Sequence, residues 1–330
     1  MKRILTLSVV MFLLVFTSQS FAGAATSAYS ITQQSLLPSG LWYHGAVYVA
    51  SSNKIYVFGG VVSNGTGTND AVISDKIYVY DVTANRWSTA SAKLPYAIFY
   101  ANAALGGNGK IYLAPGLGPT ENNGWGSHSK LIEYDPTTDT AKETTVDFGF
   151  TVWNSSLVAY QGDIYIFGGW TGSGVNKIWK YTTNTGTLTR LSTTLSKAAN
   201  GISAMLGTDN KIYLFNGYPS GYVQIFNPAD NSIKLSAAFD STFANMPVWR
   251  DANNKFYIGT KNKIYEYTPS TETLQTSSLD LGSTAMNALD YAAAVTLSDN
   301  TVYIIGGTED GYSASNNVWK LVPTSVLRHK

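Results

Sequence analysis

Short apolar runs recur along this chain, each opened by a polar residue and closed on glycine. The clearest is Asp163-Ile164-Tyr165-Ile166-Phe167-Gly168-Gly169. Lys54-Ile55-Tyr56-Val57-Phe58-Gly59-Gly60 and Thr301-Val302-Tyr303-Ile304-Ile305-Gly306-Gly307 repeat it closely. Residues 110–116, 211–217 and 255–259 are worn copies. Anchored on Ile55, Ile111, Ile164, Ile212, Phe256 and Val302, the copies follow one another at steps of 44 to 56 residues. A run this short and this unbroken reads as a strand covered on both faces. A repeat of that length built only of short strands predicts a radial array, a β-propeller.

Each unit divides into four strands, here lettered a to d from the axis outward, with the glycine-ended strand as b. Before it comes a stretch of small and apolar residues suited to a crowded centre, Gly45-Ala46-Val47-Tyr48-Val49 in the first unit and Ala292-Ala293-Ala294-Val295 in the last. After it comes strand c, as in Lys76-Ile77-Tyr78-Val79-Tyr80-Asp81 and Lys177-Ile178-Trp179-Lys180-Tyr181. Turn-formers such as Asp135-Pro136 then reverse the chain into d, for example Arg86-Trp87-Ser88-Thr89. Six a-b-c sets are present, but the sixth is followed by almost no d strand. Residues 28–38 align with the d strand and turn at 85–95, so the N-terminal segment is expected to supply the missing strand and close the ring.

With Ile-Tyr-Val-Phe-Gly-Gly at 55–60, Ile-Tyr-Val-Tyr-Asp at 77–81 and Arg86-Trp87, the unit resembles a kelch repeat, over roughly residues 29–323. The resemblance implies an all-β, six-bladed propeller. It leaves function open, because kelch propellers include enzymes and partner-binding platforms alike. Galactose oxidase resembles this chain in fold alone: its copper site uses two histidines, two tyrosines and a cysteine, and no cysteine is present here. The exported bacterial sialic acid mutarotase (N-acetylneuraminate epimerase) is distantly similar. That family follows one middle strand b with a Gly-Glu segment and a nearby Arg, where this chain has Asn216-Gly217-Tyr218-Pro219-Ser220-Gly221-Tyr222.

Charge narrows the ligand. The 22 basic and 21 acidic side chains nearly cancel to +1, without long runs of one sign. That removes the electrostatic basis for binding nucleic acid or an acidic membrane surface. At the N-terminus, Lys2 and Arg3 precede an apolar stretch over 4–16 and small residues that offer cleavage after Ala22 or Ala24. Residues 1–24 therefore read as a signal peptide, too short in its apolar part to span a bilayer. Residues 25–330 read as one propeller, expected in the periplasm or secreted, with no membrane insertion after cleavage.

Counting ten residues back from the start of each strand b places His44, Tyr100, Trp153, Gly201, Asn245 and Tyr291 around the inner mouth. Trp125, His128 and Tyr312 fall in the longer b–c loops, and Trp170 and Tyr218 open shorter ones. The expected ligand-binding set is His44, Tyr100, Trp153, Asn245, Tyr291, Trp125, Trp170 and Tyr312. Aromatic faces beside uncharged amides and hydroxyls suit a neutral sugar ring, and Tyr and Trp equally suit a protein surface. The expected partner is thus a glycan or an extracellular or periplasmic protein. A carbohydrate isomerase of mutarotase type is the alternative, with His44, Asp147, Asp240 or Asp290 as its proton-moving group. No cofactor is expected. His44 reads as an ordinary hydrogen-bonding residue. The oxygens of the loop from Asn64 to Asp75 follow no calcium-loop spacing and read as solvated.

Overall fold

The computed structural model describes residues 28–62, 72–119, 125–287, 289–308, 310–311 and 313–324. The expected signal peptide and Tyr312 lie outside them. Six four-stranded antiparallel sheets account for most of the chain. Blade 1 is Gly45–Val49, Lys54–Phe58, Lys76–Asp81 and Arg86–Lys93. Blade 3, the most regular copy, is Ser156–Tyr160, Asp163–Phe167, Lys177–Thr182 and Thr187–Thr194. The ring closes as its strand count requires. Tyr29–Gln33 forms the outer strand of blade 6, pairing antiparallel with Val318–Pro323 from Tyr29↔Pro323 to Gln33↔Trp319. Pairing of these two strands from opposite halves of the sequence completes the sixth sheet and so closes the ring.

Burial follows strand position. Strand b is buried along nearly its whole length, as in Ile164 through Phe167, whereas strand d alternates half-buried and exposed residues. Six hydrophobic clusters occupy the six blade-to-blade interfaces in turn. The tyrosine in the middle of each strand b centres its interface. Tyr56 meets Tyr134, Tyr112 meets Tyr181, Tyr165 meets Phe226, Tyr213 meets Tyr267 and Tyr303 meets Tyr80, with ring centroids 5.0 to 5.9 Å apart. At the fifth interface strand c of blade 6 carries Leu321, and Tyr257 instead packs edge-on against Tyr29 of the closing strand at 6.0 Å. Closing strand and core are therefore one structure.

The paired glycines allow the close approach their position needs. Gly168 and Gly169 have φ of +64° and +115°, and a Cβ on Gly168 would sit 2.4 Å from the Ala199 carbonyl oxygen of the next loop.

Two features were not foreseen. The long b–c loops of blades 1 and 2 carry small ribbons, Val61–Val62 on Val72–Ile73 and Leu117–Pro119 on Trp125–Ser127. A short helix, Ser283–Asn287, lies between blades 5 and 6. Among the described residues no helix is long and apolar enough to cross a membrane.

Candidate functional site

Each blade admits the chain into strand a through one residue in the left-handed conformation. These are Tyr43, Tyr100, Asn154, Gly201, Asn245 and Tyr291, with φ between +55° and +61°. Backbone hydrogen bonds link them around the axis: Tyr43 N–H donates to the Tyr291 carbonyl, Tyr100 to Tyr43, Gly201 to Asn154 and Asn245 to Gly201, at 2.8 to 3.2 Å. The architecture imposes this conformation on all six positions, whatever residue stands there. Asn and Gly adopt it readily. Bulky side chains do not, so each tyrosine held there carries backbone strain that the surrounding packing must offset.

Tyrosine nevertheless occupies three of the six. The mouth is divided into an aromatic half over blades 6, 1 and 2 and an Asn-Gly-Asn half over blades 3, 4 and 5. In the second half the Asn154 and Asn245 amides converge over Gly201, where each Nδ2 lies 2.9 Å from the place a Cβ would take. Asn154 donates to Asn200 Oδ1 at 3.0 Å, yet its own Oδ1, on a side chain of a residue only 2% exposed, has no protein partner.

The expected mouth residues are thus corrected in two blades. His44 and Trp153 each stand one position from the left-handed residue, His44 after Tyr43 and Trp153 before Asn154. The cause is the a–b turn. It has four residues in blade 1 (Val49 opposite Lys54) and two in blade 3 (Tyr160 opposite Asp163). Elsewhere a hydrogen bond such as Gly106 N–H to the Lys110 carbonyl leaves three.

His44 consequently leaves the surface. It is 7% exposed and set against Gly60 and Gly306, its ring nitrogens making no hydrogen bond of good geometry. Burial lowers its pKa to about 4, and the nearby Ile305 backbone only partly opposes this. It is a neutral core residue.

Trp153 remains in the site. Its backbone bridges to Trp170 across the loop face, and the two rings lie 6.2 Å apart. They belong to a continuous aromatic ribbon. At the axis Tyr43 lies 4.1 Å from Tyr100, 4.2 Å from Tyr291 and 4.8 Å from Trp42. Outward the rings step from Tyr100 to Trp153 (5.2 Å), Trp170 (6.2 Å) and Tyr218 (6.4 Å). Trp42 and Tyr43, which directly precede the counted position His44 in the sequence, are members of the ribbon. Burial, and then the neighbouring Tyr100 hydroxyl, push the Tyr43 hydroxyl well above the ordinary tyrosine range, so it stays protonated. Tyr43, Tyr100, Tyr291, Asn245 and the buried His44 share the lining of a cavity of about 170 Å³ with strand a side chains, several of them small, such as Ala46 and Ala204.

The other candidates scatter. Trp125 pairs with Pro119 in the blade 2 ribbon, and His128 stacks on Tyr96 at 3.6 Å, away from the axis. Asp147 accepts from Ser129 and from the Gly149 N–H, Asp240 pairs with Lys263 and Tyr265, and Asp290 accepts from the Lys261 N–H. These acids belong to three different regions of the ring, and only Asp290, next to Tyr291, adjoins the mouth. Asp75 pairs with Lys93 at 3.1 Å; the loop residues 63–71 lie outside the described set. Among the described residues no three His, Cys, Asp or Glu side chains come together in a metal-binding group.

Six sheets joined in this order, with a glycine-paired strand b and an outer strand borrowed from the N-terminus, set the terms for comparison with known proteins. A family model of the KLHDC2/KLHL20/DRC7 Kelch-repeats domain matches residues 20–215. The chain belongs to the kelch-repeat family. The solved structure of YjhT is similar in fold, with a TM-score of 0.69 over 86% of this chain and 95% of that one, at 12% sequence identity. No curated protein sequence matches the chain.

Proposed function

We propose that this kelch propeller is an exported binding module that holds a neutral glycan on its aromatic loop face. One observation carries the reading: three tyrosines occupy left-handed positions that Asn and Gly fill at less cost in the same ring, and they open onto a ribbon of half-exposed Tyr and Trp rings. Flat ring faces suit the C–H surfaces of a pyranose. The adjoining Asn245 amide and tyrosine hydroxyls supply uncharged donors and acceptors for its hydroxyls. None of the ribbon rings carries a charge, which favours a neutral sugar over an acidic one.

The test is a glycan array probed with the chain starting at Ala25, each hit checked by intrinsic tryptophan fluorescence. The reading expects neutral oligosaccharides among the hits, with affinity little changed by salt. A blank array from folded protein would remove it and turn attention to a protein partner. Following anomer exchange of any hit by NMR decides the isomerase alternative, for which Asp290 is the acid nearest the mouth.

A further inference from the structure

The ribbon has a direction. From the tyrosines of the mouth it runs over blades 2, 3 and 4, while blade 5 offers only Ala244 and Asn245 at the equivalent mouth positions. Exposure rises along it, from Trp42 at 8% through the half-buried Tyr100, Trp153 and Trp170 to Tyr218 at 54%. The inner end is closed. The Trp42 ring is buried against Tyr43 and Tyr291.

Spacing changes along the same path. Tyr43 lies 4.1 to 4.2 Å from Tyr100 and Tyr291, too close for separate ligand rings to sit flat on each. From Tyr100 outward the steps widen to 5.2, 6.2 and 6.4 Å, so successive rings there can meet successive sugars. A closed inner end with crowded rings and an open outer end with spaced rings is asymmetric. A ligand lying on it must be asymmetric in the same sense.

We infer that the ribbon reads a linear, uncharged glycan from its end. One terminal sugar sits at the axis against Tyr43 and Tyr291, and the following sugars lie outward over Tyr100, Trp153, Trp170 and Tyr218. This rests on the glycan reading above and adds chain-end recognition and length dependence to it. The walls around the closed end are side chains already packed on one another, so a chain continuing past Tyr43 meets the buried Trp42. At the other end Tyr218 is 54% exposed and leaves the chain free to extend into solvent.

The experiment is a fluorescence titration with neutral malto-, cello- and chito-oligosaccharides of increasing length, together with a cyclic malto-oligosaccharide, which has no end. One linear series is expected to tighten by up to about tenfold per added sugar, ~1.4 kcal/mol, until the ribbon is covered, and then to plateau. The cyclic sugar is expected to bind about tenfold or more below its linear counterpart. Tyr218→Ala should concentrate its loss in the longest members, while Trp153→Ala should weaken the series from shorter lengths onward. Equal affinity at all lengths, or binding of the cyclic sugar as tight as of the linear one, would overturn chain-end reading while leaving a glycan site in place. Failure of every series, with the thermal unfolding of the protein intact, would remove the glycan reading itself.

Discussion

Replacing Tyr100 by Asn separates the demands of the ring from those of the ligand. The substitution copies what blades 3 and 5 already contain, Asn154 and Asn245 at φ of +61° and +56°, against +60° at Tyr100. The left-handed conformation costs an ordinary side chain ~1–2 kcal/mol and Asn less, so the backbone should recover about 1 kcal/mol. In the other direction, Asn cannot replace the packing of the Tyr100 ring on Tyr43 at 4.1 Å, Phe99 at 4.6 Å and Trp153 at 5.2 Å. Aromatic pairs contribute ~0.5–1.5 kcal/mol each, so about 2–3 kcal/mol goes with them. The net loss is then about 1–2 kcal/mol, a fall in Tm of roughly 2–3 °C for a single domain of this size. Truncating Tyr112, which is 1% exposed in an inter-blade core, should cost ~3–5 kcal/mol and serves as the structural reference. Differential scanning fluorimetry reads the stability, and titration of a bound neutral glycan should show at least about a tenfold loss, the effect of ~1.4 kcal/mol. A Tm drop equal to that of Tyr112→Ala, or glycan binding unaffected by Tyr100→Asn, would refute a ligand-serving role for Tyr100.

Three further outcomes follow from the same structure. His44 is buried with a pKa of about 4, below the ordinary histidine value of 6.5, so the unfolded chain binds its proton first as pH falls. Stability should be full above pH 6.5 and decline by about 3 kcal/mol as pH falls to about 4; His44→Gln should flatten that part of the profile in pH-dependent denaturant melts. Removing residues 25–33 should lower Tm sharply, since Tyr29 packs on Tyr257 and the strand covers the edge of blade 6. A peptide spanning those residues, added in trans, should restore part of the loss. Gly169→Ala, at φ +115° with a Cβ that would sit 2.5 Å from Ser155 Oγ, should destabilise clearly more than Gly149→Ala. The latter, at φ +77° with open space around it, should cost only about 1 kcal/mol in equilibrium unfolding.

Strands b and c were legible in the sequence because burial on both faces demands an unbroken apolar run, and few other elements produce one so short. The closing strand was legible because residues 28–38 carry the d-strand pattern without a unit of their own. The mouth was harder to read. A count from strand b assumes equal a–b turns, and the two-residue turn at Gln161-Gly162 and the four-residue turn of blade 1 shift two positions in opposite directions. The sequence does contain a signal for the left-handed ring in Asn154, Gly201 and Asn245, residues suited to positive φ. The tyrosines at the other three positions hide it, because nothing in a tyrosine announces that conformation. The Trp153–Trp170 contact was also out of reach, since it joins two loops through a single backbone bridge rather than a strand pair.

One comparison bears most closely on the glycan site: tryptophan fluorescence of the chain from Ala25 and of its Trp153→Ala variant, titrated with neutral oligosaccharides at low and high salt. A neutral sugar held on the ribbon predicts a saturable change in the parent protein that salt leaves in place, lost or weakened by more than about tenfold in the variant. A response to acidic sugars alone that salt abolishes, or a variant that binds as the parent does, would contradict it.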